Sequence, residues 1–191
     1  MLPFVLKNDI VTLIPLSYQH EASLIEASKD GELWQLWMTT IPEPSKMKNY
    51  ITWRLNLQES CKALCFVVIK NDTQEIVGCT NYLNIDTPNK RLEIGGTWYA
   101  QKVQKSSINT NCKLLLLTHA FETLNCIAVE FRTHVLNQAS RKAIERLGAK
   151  LDGILRNHQI LPNGTLRDTA VYSILDSEWT DIKSELKVKV G

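Results

Sequence analysis

No apolar run in this 191-residue sequence approaches the roughly 18 residues that a membrane span requires. The start, Met1 to Lys7, lacks the basic opening, apolar middle and small-residue cleavage site of a secretory signal, so the chain is expected in the cytoplasm. Its five cysteines, Cys61, Cys65, Cys79, Cys112 and Cys126, are odd in number and contain no C-x-x-C pair, which favours reduced, partly buried thiols over a disulfide framework. His20, His119, His134 and His158 fall in no H-x-x-x-H or mixed Cys/His spacing, so no metal site is expected. Basic residues are scattered and the net charge is only +2, which leaves no stripe to hold nucleic acid. The sequence also lacks a G-x-S-x-G elbow, a Walker loop and a G-x-G-x-x-G turn, the signatures of several hydrolase and nucleotide-binding classes.

What is present is ordinary globular usage, with 44% hydrophobic and 22% charged residues, and a length suited to one domain over residues 1–191. Val5 to Leu16 reads as a short hairpin or a broken strand pair, with Asn8-Asp9 between its two apolar stretches. Ser17 can cap a first helix with Ala22, Leu24, Ile25, Ala27 and Ser28 on its apolar face; Asp30 to Met38 reads as a second short helix, and Ser45 as the cap of a third running to about Glu59. Leu64 to Ile69 and Glu75 to Ile85 look like antiparallel strands, followed by a strand from Leu92 to Tyr99. A nearly all-apolar helix is expected from about Thr110 through Leu124, then a strand over Ile127 to Thr133. Asn137 caps the next helix and Gly148 stops it. Leu151 to Leu161 and Thr169 to Leu175 should close a hairpin through Pro162-Asn163-Gly164, and a last helix carries Trp179, Ile182 and Leu186 before a frayed end from Lys187 to Gly191. That order predicts an α+β fold with a mixed central sheet.

Three places carry chemistry. The first is the polar loop Gln104-Lys105-Ser106-Ser107-Ile108-Asn109, between a strand and a helix beginning near Thr110. A helix N-terminus leaves about four N–H groups without partners and bears partial positive charge, which suits an anion. The second is Gly95-Gly96 in mid-strand, where a bulge or close backbone approach by a ligand is the physical reason to accept glycine. Strand alternation puts Glu93, Gly95, Thr97 and Tyr99 on one face and Leu92, Ile94, Gly96 and Trp98 on the other. Glu93 then reads either as a base with a raised pKa or as a paired edge residue. The third is Asn137-x-x-Ser140 at a helix start. Trp34, Trp37 and Trp53 read as core or as substrate wall, and Arg167-Asp168 as a solvated turn or as the mouth of a substrate site.

Together, Leu92 to Trp98, Gln104 to Asn109, Asn137-x-x-Ser140, Leu147-Gly148-Ala149, Gly153-Ile154-Leu155-Arg156, Gly164, Arg167-Asp168, Tyr172-Ser173-Ile174 and Glu178-Trp179 resemble the GNAT superfamily of acyl-CoA N-acyltransferases. Within it they are similar to the branch that acetylates N-terminal amines of ribosomal proteins, and Leu13-Ile14-Pro15-Leu16 and Ile76-Val77-Gly78 extend the likeness over nearly the whole chain. The resemblance implies a mostly antiparallel sheet with flanking helices, splayed between its fourth and fifth strands, with the pantetheine arm of acetyl-CoA in the split. It implies acetyl-CoA as cosubstrate, no metal, and an acceptor amine that is a protein N-terminus or a small molecule; a homodimer is one assembly open to it.

On this reading Gln104, Lys105, Ser106, Ser107, Ile108, Asn109 and Thr110 cradle the pyrophosphate. Backbone N–H near Thr97 or Trp98 holds the thioester oxygen, and Glu93 takes the amine proton. Asn137 positions the pantetheine amides, Ser140 serves the leaving thiolate, and Trp37 and Arg167 meet the acceptor. The family's loop has the pattern Gln/Arg-x-x-Gly-x-Gly/Ala. Ser107 and Asn109 stand at its last two fixed positions, where a Cβ narrows φ/ψ and crowds phosphates, while serine hydroxyls and Lys105 offset part of the loss. A non-catalytic acyl-CoA-binding protein with a drifted loop is the alternative.

Overall fold

Runs of β-branched and aromatic residues, punctuated by Asn-, Asp- and Gly-bearing turns, order most of this chain into one sheet. The structure, a computed structural model, describes residues 4–39, 41–161 and 163–190. Met1 to Pro3, Pro162 of the expected hairpin turn and Gly191 lie outside the described residues. Strands β1 (Leu6–Lys7) and β2 (Val11–Pro15) form the N-terminal hairpin, whose turn is tied by Asn8 Oδ1 accepting the N–H groups of Ile10 and Val11 at 3.0 and 2.9 Å. Helix α1 (Glu21–Lys29) and helix α2 (Met47–Glu59) precede β3 (Ala63–Lys70), β4 (Glu75–Asp86) and β5 (Arg91–Tyr99). Helix α3 (Ile108–Thr118) closes with a π turn at His119–Thr123 and leads to β6 (Ala128–His134). Helix α4 (Gln138–Glu145), β7 (Lys150–Ile160), β8 (Leu166–Leu175) and helix α5 (Asp176–Val190) complete the chain.

The eight strands run in the order β1-β2-β3-β4-β5-β6-β8-β7, and among the described pairs only β5 and β6 are parallel. A parallel neighbour needs a crossover, which α3 supplies. Helix α2 covers one face of the sheet, where Trp98 Nε1 donates to Tyr50 Oη at 3.2 Å; α3 covers the other, where Tyr82 Oη donates to the Leu116 carbonyl at 2.6 Å. Leu13, Phe66, Val67 and Tyr82 are fully buried between sheet and helices.

Several elements differ from the sequence expectation. Asp30 to Met38 forms only a 3₁₀ turn at Leu33–Gln35, because Gly31 (φ +84°) and Glu32 (φ +48°) take left-handed conformations that no α-helix continues. Ser45 lies inside a 3₁₀ turn, Pro44–Lys46, and its hydroxyl donates to Glu43 instead of capping α2. Helix α3 begins at Ile108, two residues early, because buried Ile108 anchors its first turn. Strand β8 begins at Leu166, so Arg167 and Asp168 are strand residues, not a turn. The end does not fray: α5 runs to Val190, and Lys189 Nζ donates to the Arg146 carbonyl at 3.0 Å. Trp37 and Trp53 are 47% exposed and so are not core. The mixed α+β architecture and the split stand as expected; the split falls between the fifth and sixth strands because the N-terminal hairpin contributes two.

Candidate active site at the split in the sheet

Strands β5 and β6 pair over only three residues, Arg91 to Glu93 against Ala128 to Glu130, and then part. A cavity of about 590 Å³ fills the fork, with Gly95, Gly96 and Thr97 on one wall and Phe131 to His134 on the other. The divergence has a local cause. Between the pairs Cys79 with Trp98 and Asn81 with Gly95, the residues Gly96 and Thr97 together oppose Thr80, which makes a bulge. Gly96 sits at φ +56°, and a Cβ there would come within 2.3 Å of Arg54 Nη2 and 2.8 Å of Asn81 Nδ2. Asn81 Nδ2 fastens the bulge by donating to the Gly95 and Gly96 carbonyls at 2.9 and 3.1 Å.

The bulge also breaks the expected alternation. Glu93 and Gly95 share a face with Leu83 and Asn81 on the α2 side, whereas Thr97 and Tyr99 turn to α3, toward Lys113 and Cys112. Trp98 points at Tyr50 and is 4% exposed, so its side chain is core and lies away from the cavity.

At the open end of the fork, Gln104 to Ser107 are exposed and Gln104, Lys105, Ser106 and Asn109 line the cavity. The N–H groups of Lys105, Ser106, Ser107, Asn109 and Thr110 find no acceptor among the described residues, as expected of a loop leading into a first helical turn. Ile108 and Thr110 side chains are buried, and the Ile108 N–H is held by Ser106 Oγ at 3.3 Å, so Ile108 contributes nothing there. The missing glycines impose no backbone strain. Ser107 is right-handed (φ −72°) and Asn109 lies in α3; the left-handed residue of the loop is Lys105, at φ +60°.

Asn137 caps α4 by accepting the Ser140 N–H at 3.0 Å, which fixes Ser140 on the first turn with both residues lining the cavity. Glu93 is 6% exposed and stands behind Gly95, whose Cβ, if present, would lie 2.5 Å from Glu93 Oε1. Asn84 Nδ2 donates to Glu93 Oε2 at 2.7 Å, and Arg132 Nε is 3.6 Å from it. Burial pushes the Glu93 carboxyl above its ordinary value, although Arg132 and Asn84 pull it partly back. Arg132 also pairs with Glu130 at 2.9 Å, and Glu130 with Arg91 at 2.6 Å, so the fork is closed by a neutralised charge network.

Two residues that the sequence reading missed belong to this site. Lys113 on α3 is 5% exposed and has no carboxylate partner among the described residues; its Nζ donates to Thr97 Oγ1 at 2.6 Å and Thr80 Oγ1 at 3.1 Å. Its signal was a lone charge in the apolar run Cys112 to Leu117. His134 ends β6 on the same alternating face as Glu130 and Arg132, a pattern readable in the sequence. The Leu136 N–H donates to His134 Nδ1 at 3.1 Å, so the ring's proton sits on Nε2, which is buried and finds no partner among the described residues. Burial and the Arg167 charge hold this ring below the usual histidine range. Trp37 lies edge-on to His134 with ring centres 5.1 Å apart, and Arg167 reaches the cavity from β8. Six cationic side chains line the cavity and no aspartate or glutamate does, among the described residues. A fork of this charge accepts a polyanion and repels a polycation.

Residues 11–150 match the acetyltransferase (GNAT) domain family. The chain is 34% identical over 104 residues to YdaF of Bacillus subtilis (strain 168), provisionally named a ribosomal N-acetyltransferase; the match takes in 54% of this chain and 56% of YdaF, just over half that relative's length. It is 26% identical over 151 residues to the uncharacterized N-acetyltransferase p20 of Bacillus licheniformis, covering 74% of this chain and 79% of p20. The crystal structure of a GCN5-related N-acetyltransferase from Brucella melitensis superposes with a TM-score of 0.89 at 27% identity, over 98% of this chain and 86% of that one.

Proposed function

Since the chain belongs to the GNAT acetyltransferase domain family, we propose that it moves an acetyl group from acetyl-CoA to a primary amine by direct attack, as one domain working in the cytoplasm. The observation that carries this reading is the fork itself: a cationic cavity beside a strand bulge, with the unpartnered N–H groups of a loop and helix start at its mouth. The residues present fit acetyl-CoA as cosubstrate. Lys105, Ser106 and the free N–H groups through Thr110 would hold phosphate oxygens. Asn137 would orient pantetheine amides, and the walls at Gly95 and Gly96 leave room for a chain to lie against the backbone.

The site's residues then divide the reaction. Glu93 accepts the proton that the amine must lose, reached past Gly95 or through a water. Backbone N–H at the bulge, near Thr97, stabilises the thioester oxygen as the C–N bond forms. Ser140 gives a hydrogen bond to the sulfur as the C–S bond breaks and CoA leaves as the thiolate, which then takes a proton from solvent. No cysteine lines the cavity to form a covalent intermediate: Cys61 is exposed outside it, and Cys65, Cys79, Cys112 and Cys126 are buried with their thiols pushed up by burial. These free thiols also suit a reducing compartment. The acceptor is an amine, with the N-terminus of a ribosomal protein suggested by the name of YdaF. Calorimetry with acetyl-CoA, followed by thiol release against a panel of amines, tests the proposal. Micromolar binding with acceptor-dependent thiol release is expected; no binding refutes it, and binding without release for any amine would make this a CoA-binding protein instead.

A further inference from the structure

On its acceptor side the cavity presents the donors Arg167 and His134, and among the described residues no carboxylate lines it, which narrows the substrate. His134 pairs in register with Thr169 across β6 and β8, and Arg167 lies two residues before Thr169, hence on the same face. Arg167 Nε donates to Thr169 Oγ1 at 3.1 Å, which leaves both of its terminal nitrogens free, and the side chain makes no ion pair among the described residues. Beside it, His134 presents a buried, unpartnered Nε2–H with its tautomer fixed by the Leu136 N–H. Asp168, the nearest acidic neighbour in sequence, is engaged elsewhere, accepting the Asn157 N–H at 2.7 Å.

The other cations of the cavity are engaged or lie elsewhere, Lys113 being fastened to Thr97 and Thr80 on the α3 face. Arg132 is paired with Glu130 and Glu93, while Lys105, Lys142 and Arg146 are exposed on the loop and α4, on the side assigned to phosphates. Arg167 is thus a half-buried guanidinium that makes no ion pair among the described residues, and the negative charge it feels, Glu93, is already held by Asn84 and Arg132. A polyamine or aminoglycoside would bring more positive charge to it. A peptide N-terminus would offer only a neutral carbonyl, enough for His134 but not for Arg167. A carboxylate satisfies both, since its two oxygens can take the guanidinium fork and the imidazole N–H together.

We propose that the acceptor is an α-amino carboxylate, a free amino acid or a close analogue, whose carboxylate is held by Arg167 and His134 while its amine faces the thioester. This rests on the acetyl-transfer reading above and specifies its acceptor. The test is acetyl-CoA-dependent thiol release with the free L-amino acids, each matched with its α-amide, and with spermidine and an alanine-initiated tripeptide. At least one free acid should react with kcat/KM tenfold or more above its amide. Arg167→Gln should raise KM for that acid about ten- to a hundredfold, at least tenfold more than for its amide, with acetyl-CoA affinity retained; His134→Phe, which keeps the contact with Trp37, should raise it less. Retained acetyl-CoA binding establishes that the variants fold and that the cosubstrate site stands on its own. If wild-type protein binds acetyl-CoA but prefers the amide, tripeptide or spermidine, or releases thiol with none of the acids, the carboxylate site is overturned; if it does not bind acetyl-CoA, the transferase reading fails first.

Discussion

Lys113 Nζ stands 2.6 Å from Thr97 Oγ1, so a buried ammonium without a carboxylate partner among the described residues is fastened to the strand that forks. Thr80 Oγ1 takes a second N–H at 3.1 Å and lies 2.9 Å from Thr97 Oγ1. One charge thereby ties α3 to both strands of the bulge. Thr80 is fully buried and must give its own proton to Thr97, which leaves the Thr97 hydroxyl proton free to point into the cavity.

Burial lowers the Lys113 ammonium to about 8, against 10.5 for an ordinary lysine. Between those two values the unfolded chain binds a proton that the folded chain has released, so this residue's contribution to stability rises with pH there. Lys113→Met should therefore be more stable than wild type at pH 7, by on the order of 3 kcal/mol at most, with the difference shrinking toward pH 10.5. Burial pushes the neighbouring Cys112 thiol up to about 11 and the Lys113 charge pulls it partly back, so the lysine is read most cleanly from the midpoints between pH 7 and 9. Urea midpoints for the pair from pH 7 to 10.5 would settle it; a constant gap means that the lysine is not desolvated.

How far the sequence disclosed the site depended on whether local pattern or tertiary contact decides each feature. The bulge at Gly95-Gly96, the Asn137 cap and the free N–H groups of the loop-to-helix turn are local, and all three were legible. The faces of β5 were not, because a single extra residue at the bulge returns Thr97 and Tyr99 to α3 while Glu93 stays toward α2. Arg167 read as a turn residue because strand pairing with β7 extends β8 beyond its hydrophobic stretch. Asp30 to Met38 read as helix because periodicity ignores the left-handed pair Gly31 and Glu32. Lys113 and His134 were hidden by convention: a lysine within a leucine run reads as exposed, and a histidine outside a metal spacing is passed over.

Replacing Glu93 tests the base. A carboxyl held above its ordinary value by burial should give kcat/KM an acid limb above pH 4.5, and Glu93→Gln should lower turnover about a hundredfold and abolish that limb. The charges facing it, Arg132, Arg167 and Glu130, remain in the variant. An unchanged pH profile would assign proton removal to water alone.

Ser140→Ala separates the leaving group from binding. The cap does not involve the Ser140 hydroxyl, because Asn137 accepts its backbone N–H, so α4 should be unaffected. Turnover should fall about tenfold or more while acetyl-CoA affinity is retained. Turnover equal to wild type would remove Ser140 from the reaction.

Gly96→Ala probes the bulge. A left-handed alanine costs about 1 kcal/mol, and its Cβ would meet Arg54 Nη2 at 2.3 Å. Arg54 is 2% exposed and stacked over Trp53 at 4.2 Å, so it has little room to retreat. A loss of about 2 kcal/mol or more is expected in urea unfolding, together with weakened acetyl-CoA binding as the fork closes or shifts. A shift within about 0.5 kcal/mol would show that the bulge relaxes freely.

The loop without glycine yields the last prediction. Ser107 is right-handed, so Ser107→Gly relieves no strain and should leave acetyl-CoA affinity equal or slightly weaker, through added flexibility ahead of α3. Lys105 is the residue at positive φ, and Lys105→Gly would remove left-handed strain of about 1 kcal/mol together with a cation that lines the cavity. Those two effects separate with salt. Exposed charge is screened within about 10 Å at 0.1 M, whereas backbone strain is indifferent to salt. The strain is present in the free protein and so bears on folding stability, leaving the charge to set affinity: at low ionic strength Lys105→Gly should bind acetyl-CoA more weakly than wild type, and near 1 M salt the gap should close. Titrations at 20 mM and 1 M sodium chloride make the measurement. Weaker binding by the same factor at both would mean that Lys105 serves through its conformation or a close contact.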